Sequence, residues 1–305
     1  MEKKNRAVFL GTGTSQGVPM IGCKCAVCTS DDSRDKRLRS SLYVEYGGCR
    51  ILVDAGPDFR QQMLREDILH LDAILLTHNH KDHTGGLDDV RAINYLEDRA
   101  VDIYCEKYVE DSLKKEYAYA FALPHYPGIP AWNIHHISEE PFYIHSCPVS
   151  SSSCRQSGAQ LPESSSAGLL PSEQQVRIVP VRGMHFRLPV LGFRFGKLAY
   201  ITDMNHITED QFGKLKDLDV MTVNCVKHGS HLSHFSFEQA IAVALKVGAR
   251  RTYLTHLSHQ LECHKELERL IVEEASAQLR AAGREIPADL NERIRPAYDG
   301  MEVFF

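Results

Sequence analysis

Short apolar runs closed by polar turns recur along this chain, and stretches of helical period lie between them. Val8-Phe9-Leu10 runs into Gly11. Ser41-Leu42-Tyr43-Val44-Glu45-Tyr46 and Arg50-Ile51-Leu52-Val53 are joined by Gly47-Gly48, the pattern of a β-hairpin. Further runs are Leu71-Asp72-Ala73-Ile74-Leu75-Leu76-Thr77, Val101-Asp102-Ile103-Tyr104, Ile178-Val179-Pro180-Val181 and Leu198-Ala199-Tyr200-Ile201-Thr202. Val220-Met221-Thr222-Val223-Asn224, Arg251-Thr252-Tyr253-Leu254-Thr255 and Met301-Glu302-Val303-Phe304-Phe305 complete the set. Most alternate too little to be half-exposed and are predicted to be buried strands. Helices are predicted over 57–64, with Pro57 in the first turn, and over 88–97, 110–121 and 208–216. Another opens at Ser236-Phe237-Glu238-Gln239, which resembles a capping box, and runs to Gly248. A long amphipathic helix over 264–282 stops at Gly283. Strands alternating with helices predict an α/β fold.

Composition adds boundaries to that picture. The 305 residues are 43% apolar and 25% charged, ordinary for a globular chain with a sizeable core, and are expected to form one domain over 1–305. The segment 146–172 differs: its serine runs, with Gly and Pro, bury little, so it is expected to be an insertion extending a hairpin, with Cys147 and Cys154 as free thiols. Leu123–Ile134, with His125, three prolines and the only tryptophan, Trp132, is expected to be core packing or plain loop sooner than a substrate rim. No apolar run approaches a membrane span. The charged start leads to an apolar run that stops at Gly11, too short for a signal peptide, so a cytoplasmic location is expected. Net charge is −5 and the pI about 6.3, without the basic stripe of a nucleic-acid binder.

The chemistry concentrates at strand ends. His78-Asn79-His80-Lys81-Asp82-His83 follows the 71–77 run, and a tight turn there can aim His78 and His80 to one side and Asp82 and His83 to the other. That is a ligand set for two divalent ions held close together. His185, Asp203 and His256 each follow another apolar run, repeating one device of strand, then ligand. Cys23-Lys24-Cys25-Ala26-Val27-Cys28 offers three thiolates for one soft ion, and His259, three residues past His256, is the candidate fourth ligand of a closed zinc site. Gly11-Thr12-Gly13-Thr14-Ser15-Gln16-Gly17 has the wrong spacing for a dinucleotide fingerprint and is read as a turn letting backbone pass close to the centre. Asp54 is either a turn residue or a carboxylate orienting a ligating imidazole. His228, His231 and His234 cluster before the helix that opens at Ser236, where a histidine would meet a phosphate oxygen near partial positive charge.

The H-x-H-x-D-H pattern, with His185, Asp203 and His256 in order, resembles the metallo-β-lactamase superfamily. The Gly11–Pro19 turn, the cysteine cluster, Asp54-Ala55-Gly56, Thr255-His256-Leu257-Ser258-His259-Gln260 and Asp299-Gly300-Met301-Glu302 narrow the resemblance to the PhnP-type cyclic phosphodiesterases. It implies a four-layer αβ/βα sandwich of two mixed sheets flanked by helices. It also implies a dinuclear site of two divalent ions, Mn²⁺ or Zn²⁺: His78, His80 and His185 on one, Asp82, His83 and His256 on the other, and Asp203 bridging. Cys23, Cys25, Cys28 and His259 would hold a structural Zn²⁺. Asp82, Asp203 and a histidine before a helix, His234 in preference to His231, would be catalytic. The implied activity is hydrolysis of a small phosphodiester, cyclic ones included, by a hydroxide activated between the ions, and the resemblance allows a homodimer. The alternatives are a tRNA 3′-end endonuclease, disfavoured by the acidic balance, and a non-catalytic metal-binding protein related to PqqB, disfavoured by the intact ligand set. A thioester or lactam hydrolase of the same fold is a further rival.

Overall fold

The computed structural model describes residues 5–123, 128–147 and 175–305. His125, Cys154 and nearly all of the serine-rich segment lie outside the described residues. In chain order the strands are β1 (Arg6–Gly11), β2 (Ser41–Tyr46), β3 (Cys49–Val53), β4 (Ala73–Leu75), β5 (Val101–Cys105) and β6 (Trp132–His136). They continue as β7 (Phe142–His145), β8 (Gln175–His185), β9 (Leu188–Phe195), β10 (Leu198–Tyr200), β11 (Val220–Asn224), β12 (Arg251–Thr255), β13 (Ile294–Pro296) and β14 (Glu302–Phe304). Among the described residues they form two seven-stranded mixed sheets, ordered β14-β1-β2-β3-β4-β5-β6 and β13-β12-β11-β10-β9-β8-β7.

Side chains that alternate along these strands serve two different cores. Ala7, Phe9, Leu42, Val44, Ile51, Val53 and Leu75 point between the sheets, where they meet Ile178, Phe193, Phe195 and Tyr200 of the second sheet. Val8, Leu10, Leu52, Ile74 and Ile103 point outward onto helices Phe59–Arg65, Arg91–Glu97 and Lys107–Glu116. Val181, Ala199, Met221, Val223 and Leu254 do the same against helices Phe237–Val247 and His264–Ala281. The result is the helix–sheet–sheet–helix layering, and burial on both faces explains the unbroken apolar runs. Among the described residues no helix is long and apolar enough to cross a membrane.

The predicted capping box is present: Ser236 Oγ accepts from Gln239 N–H, the Gln239 side chain accepts from Ser236 N–H, and Gly248 ends the helix at φ 65°. Some boundaries differ from expectation. The 208–216 stretch forms only Glu209–Phe212 and a 3₁₀ turn, Gly213–Leu215. His185 is the last residue of an eleven-residue strand, not a residue past its end. Pro180 sits inside that strand at little cost, because pairing with β7 reaches only Ile178, so no ladder bond on that side needs its missing N–H. Trp132 opens β6 and packs on Tyr117 and Phe121, with ring centroids 5.3 and 5.8 Å away.

Candidate active site

The ends of β4, β8, β10 and β12 meet at one place. Beyond β4 the chain bends at Thr77 and again at Asn79, passes through an extended His80 and then coils into a single turn, Lys81–Thr84. That change of backbone brings His78 and His83 together, buried, with ring centroids 4.3 Å apart, and leaves His80 4.5 Å from His78. His185, on β8, faces His80 at 5.0 Å and His78 at 5.7 Å. Asp203 and His256 follow β10 and β12 at φ 55° each, and Asp54 follows β3 at φ 62°. A non-glycine residue in this left-handed region costs about 1–2 kcal/mol, a strain that tends to collect at functional sites.

Asp203 is the hub. Its Oδ1 lies 2.9 Å from His234 Nε2 and 3.3 Å from His256 Nε2. Its Oδ2 lies 3.0 Å from His83 Nε2 and accepts from the Thr202 hydroxyl at 2.8 Å. Potential ligand atoms gather in three sets, each within 4.8 Å: His78, His83 and Asp203; His185, Asp203 and His234; Asp82, Asp203 and His256. Asp203 belongs to all three. His80 joins by its ring contacts and is in none of the sets.

The outer nitrogens of these rings are tied down. His83 Nδ1 is 2.6 Å from Asp54 Oδ2, and Asp54 also accepts from the Thr77 N–H and hydroxyl, each at 2.9 Å. Because the Thr77 hydroxyl donates to Asp54, its oxygen accepts from His78 Nδ1–H at 2.9 Å. Ser40 Oγ donates to Gly13 O at 2.9 Å and accepts from His256 Nδ1–H at 3.1 Å. His185 Nδ1 donates to the Asp203 carbonyl at 3.1 Å. Each Nε2 is thereby turned inward, as metal-ligating histidines require. The buried His78 Nε2 meets no hydrogen-bond partner among the described residues, as suits a ring nitrogen left free for a metal.

The electrostatics agree with a seat for positive charge. Burial pushes His185 down to about 4 and His256 down to about 3, so both rings present free lone pairs at neutral pH. Burial also opposes charge on His83, yet Asp203, Asp54 and Asp82 outweigh it and hold that ring well above the usual range. Imidazoles and carboxylates around one shared carboxylate suit borderline divalent ions such as Zn²⁺ or Mn²⁺.

Residues 49–257 match the family described as the β-lactamase superfamily domain. The chain belongs to that superfamily. Within it the chain is PhnP-like: the crystal structure of a diphosphatase from the PhnP family superposes with a TM-score of 0.76 at 32% identity, covering 99% of this chain and 98% of that one. An octanoyltransferase of Porphyromonas gingivalis (strain ATCC BAA-308 / W83) is 38% identical over 264 residues, 86% of this chain and 47% of that protein. The chain thus spans about half the length of that curated relative. Zn²⁺-bound PqqB from Methylobacterium extorquens shares the fold, with a TM-score of 0.64 at 18% identity over 98% of this chain and 99% of that one.

In this β-lactamase-superfamily chain, Cys23, Cys25, Cys28 and His259 form a second cluster, all four ligand atoms within 4.8 Å. His259 Nδ1 is 3.4 Å from Cys23 Sγ and 3.6 Å from Cys25 Sγ. Three thiols and one imidazole are a closed tetrahedral set for zinc. The turn His256-Leu257-Ser258-His259 serves both clusters and is held by Leu257 N–H to Thr12 O (2.8 Å) and Ser258 Oγ to Val226 O (2.6 Å). In the glycine turn a Cβ on Gly11 would lie 1.9 Å from Arg39 O, and Gly13 O accepts from the Ser40 hydroxyl that also meets His256.

Of the three histidines before helix Phe237–Val247, His234 faces Asp203, and His231 stands behind it with the two Nδ1 atoms 3.2 Å apart. His228 instead lies between Glu262 (2.9 Å) and Glu238 (3.3 Å). Sequence reasoning missed Ser40 and Thr77. Thr77 adjoins His78 and could have been suspected, whereas nothing in the sequence pairs Ser40 with a histidine 216 residues away.

The Asp54 network gives one prediction. Asp54→Asn keeps a residue that tolerates positive φ but removes the charge opposite His83. Zinc affinity, measured by chelator competition, is expected to fall about 10–100-fold with the fold retained. Unchanged affinity would show that Asp54 does not orient that ring.

Proposed function

We propose that this protein is a metal-dependent phosphodiesterase acting on small diesters, cyclic ones included. The observation that carries the reading is the single Asp203 carboxylate shared by three ligand sets directly beside His234. His78, His80 and His185 would hold one divalent ion and Asp82, His83 and His256 the other, with Asp203 between them. Such ions supply Lewis-acid polarisation of the phosphoryl oxygens and an activated water at neutral pH. Asp54, Thr77 and Ser40 keep the ligating rings in the required tautomers. His234 Nε2, with Nδ1 against Ser233 and His231, is placed to hand a proton to the leaving oxygen. A Cys23, Cys25, Cys28 and His259 zinc would pin the turn that carries His256.

The PhnP-family neighbour is called a diphosphatase, and the longer relative an octanoyltransferase, so phosphoanhydrides and acyl thioesters are the competing substrates. The test is one panel on one preparation of measured metal content: bis-p-nitrophenyl phosphate, a 2′,3′-cyclic nucleotide, a nucleoside diphosphate, tRNA precursor and an octanoyl thioester. Turnover of the diesters should exceed that of the thioester and the anhydride by at least about 100-fold in kcat/KM. Faster thioester cleavage would overturn the reading.

A further inference from the structure

The turn after His185 is unusual in a way the metal chemistry does not require. β8 ends at His185 and β9 begins at Leu188, so Phe186-Arg187 is a two-residue hairpin turn. Phe186 adopts φ 56°, a conformation that hairpin turns ordinarily give to Gly, Asn or Asp. The residue is also 46% exposed, so the strain does not serve core packing. Leu232, on the loop that carries His231 and His234, is 68% exposed.

One side chain fastens both. Asn205, two residues beyond Asp203, accepts from Phe186 N–H through Oδ1 at 3.1 Å and donates from Nδ2 to Leu232 O at 2.9 Å. Its own N–H is fixed to Met184 O at 2.8 Å. The loops so joined carry the imidazoles of His185 and His234, whose ring centroids are 4.5 Å apart. The Arg187 guanidinium lies 5.2 Å from the Phe186 ring centroid, which steadies the ring. A strained, exposed aromatic held beside the candidate catalytic groups points to a ligand, because strain without packing benefit persists where function requires it.

We propose that Phe186, joined to the Leu232 loop through Asn205, is a specificity-determining platform that stacks on an aromatic group of the substrate, so that the preferred diester carries a nucleobase or aryl ester group. The proposal rests on the phosphodiesterase reading and names the substrate class for the same site.

Calorimetry on the metal-loaded protein with two product-like probes, adenosine 5′-monophosphate and ribose 5-phosphate, separates the base from the phosphate. Phe186→Asn suits the left-handed backbone and removes the ring, whereas Phe186→Tyr keeps it. The nucleotide should bind the unmodified protein and Phe186→Tyr at least tenfold more tightly than the sugar phosphate. That preference should collapse to about twofold in Phe186→Asn, as expected for loss of one stacking contact. A parallel loss for both probes, or equal binding of both to the unmodified protein, would overturn the platform while leaving the hydrolase reading standing. Failure of the unmodified protein both to bind either probe and to cleave any diester would overturn the two together.

Discussion

Asp203→Asn is expected to lose about 10⁴-fold or more in diester turnover, together with most of the divalent ion outside the cysteine cluster. Asparagine is the informative replacement because it tolerates the φ of 55° and keeps the side chain's shape, so the loss reports charge and ligation and not a collapsed turn. The expected size follows from position. One carboxylate faces His83, His234 and His256 at 3.0, 2.9 and 3.3 Å, and it is common to all three ligand sets. Groups that act as a unit fail as a unit, so removing the shared member should cost about as much as removing the centre. Elemental analysis and circular dichroism on the same sample separate the cases. More than about 1% residual turnover with full metal content would show that Asp203 is not the shared ligand.

The strand tips could be read from sequence because the sheets are buried on both faces. Ala73–Leu76 and Leu198–Ile201 are unbroken apolar runs, and the first polar residues after them have only the rim of the sheets to occupy. What could not be read was set by partners distant in the chain. β6, β7 and β13 have mixed or short sequences, WNIHH, FYIH and IRP, and β13 becomes a strand by pairing with β12. No repeat is evident along the sequence, and only the superfamily resemblance implies that the two halves are related. In each sheet three antiparallel pairings are followed by three parallel ones, and β3 and β10 sit at the change from one to the other. Asp54 and Asp203 therefore stand at equivalent places, both left-handed and fully or almost fully buried. One has become the hub and the other its support through His83, and no residue-level similarity marks the pair. Ser40 was invisible for the same reason: its role exists only once the turn at Gly13 lies against His256.

His234→Ala carries the second large effect, and the leaving group decides its meaning. A proton donor matters in proportion to the basicity of the oxygen it serves. With an alkoxide leaving group the variant should lose about 10²–10⁴-fold in kcat, the usual worth of general acid catalysis. With p-nitrophenolate, which departs without a proton, the loss should be about tenfold or less. Metal content should stay at the unmodified level, because the other imidazoles and Asp203 remain. The structure supplies the competing outcome: His234 Nε2 shares a ligand set with His185 and Asp203, so the ring is also close enough to bind an ion. If it does, the variant loses metal, and the two leaving groups suffer alike. His231→Ala is the companion measurement. Among the described residues His231 meets the centre through His234, and burial, with His234 beside it, lowers its affinity for a proton, so it is suited to accept a hydrogen bond from His234 and not to replace it. A smaller loss for His231→Ala with the same leaving-group trend would place it as a support of His234, whereas a larger one would exchange the two roles.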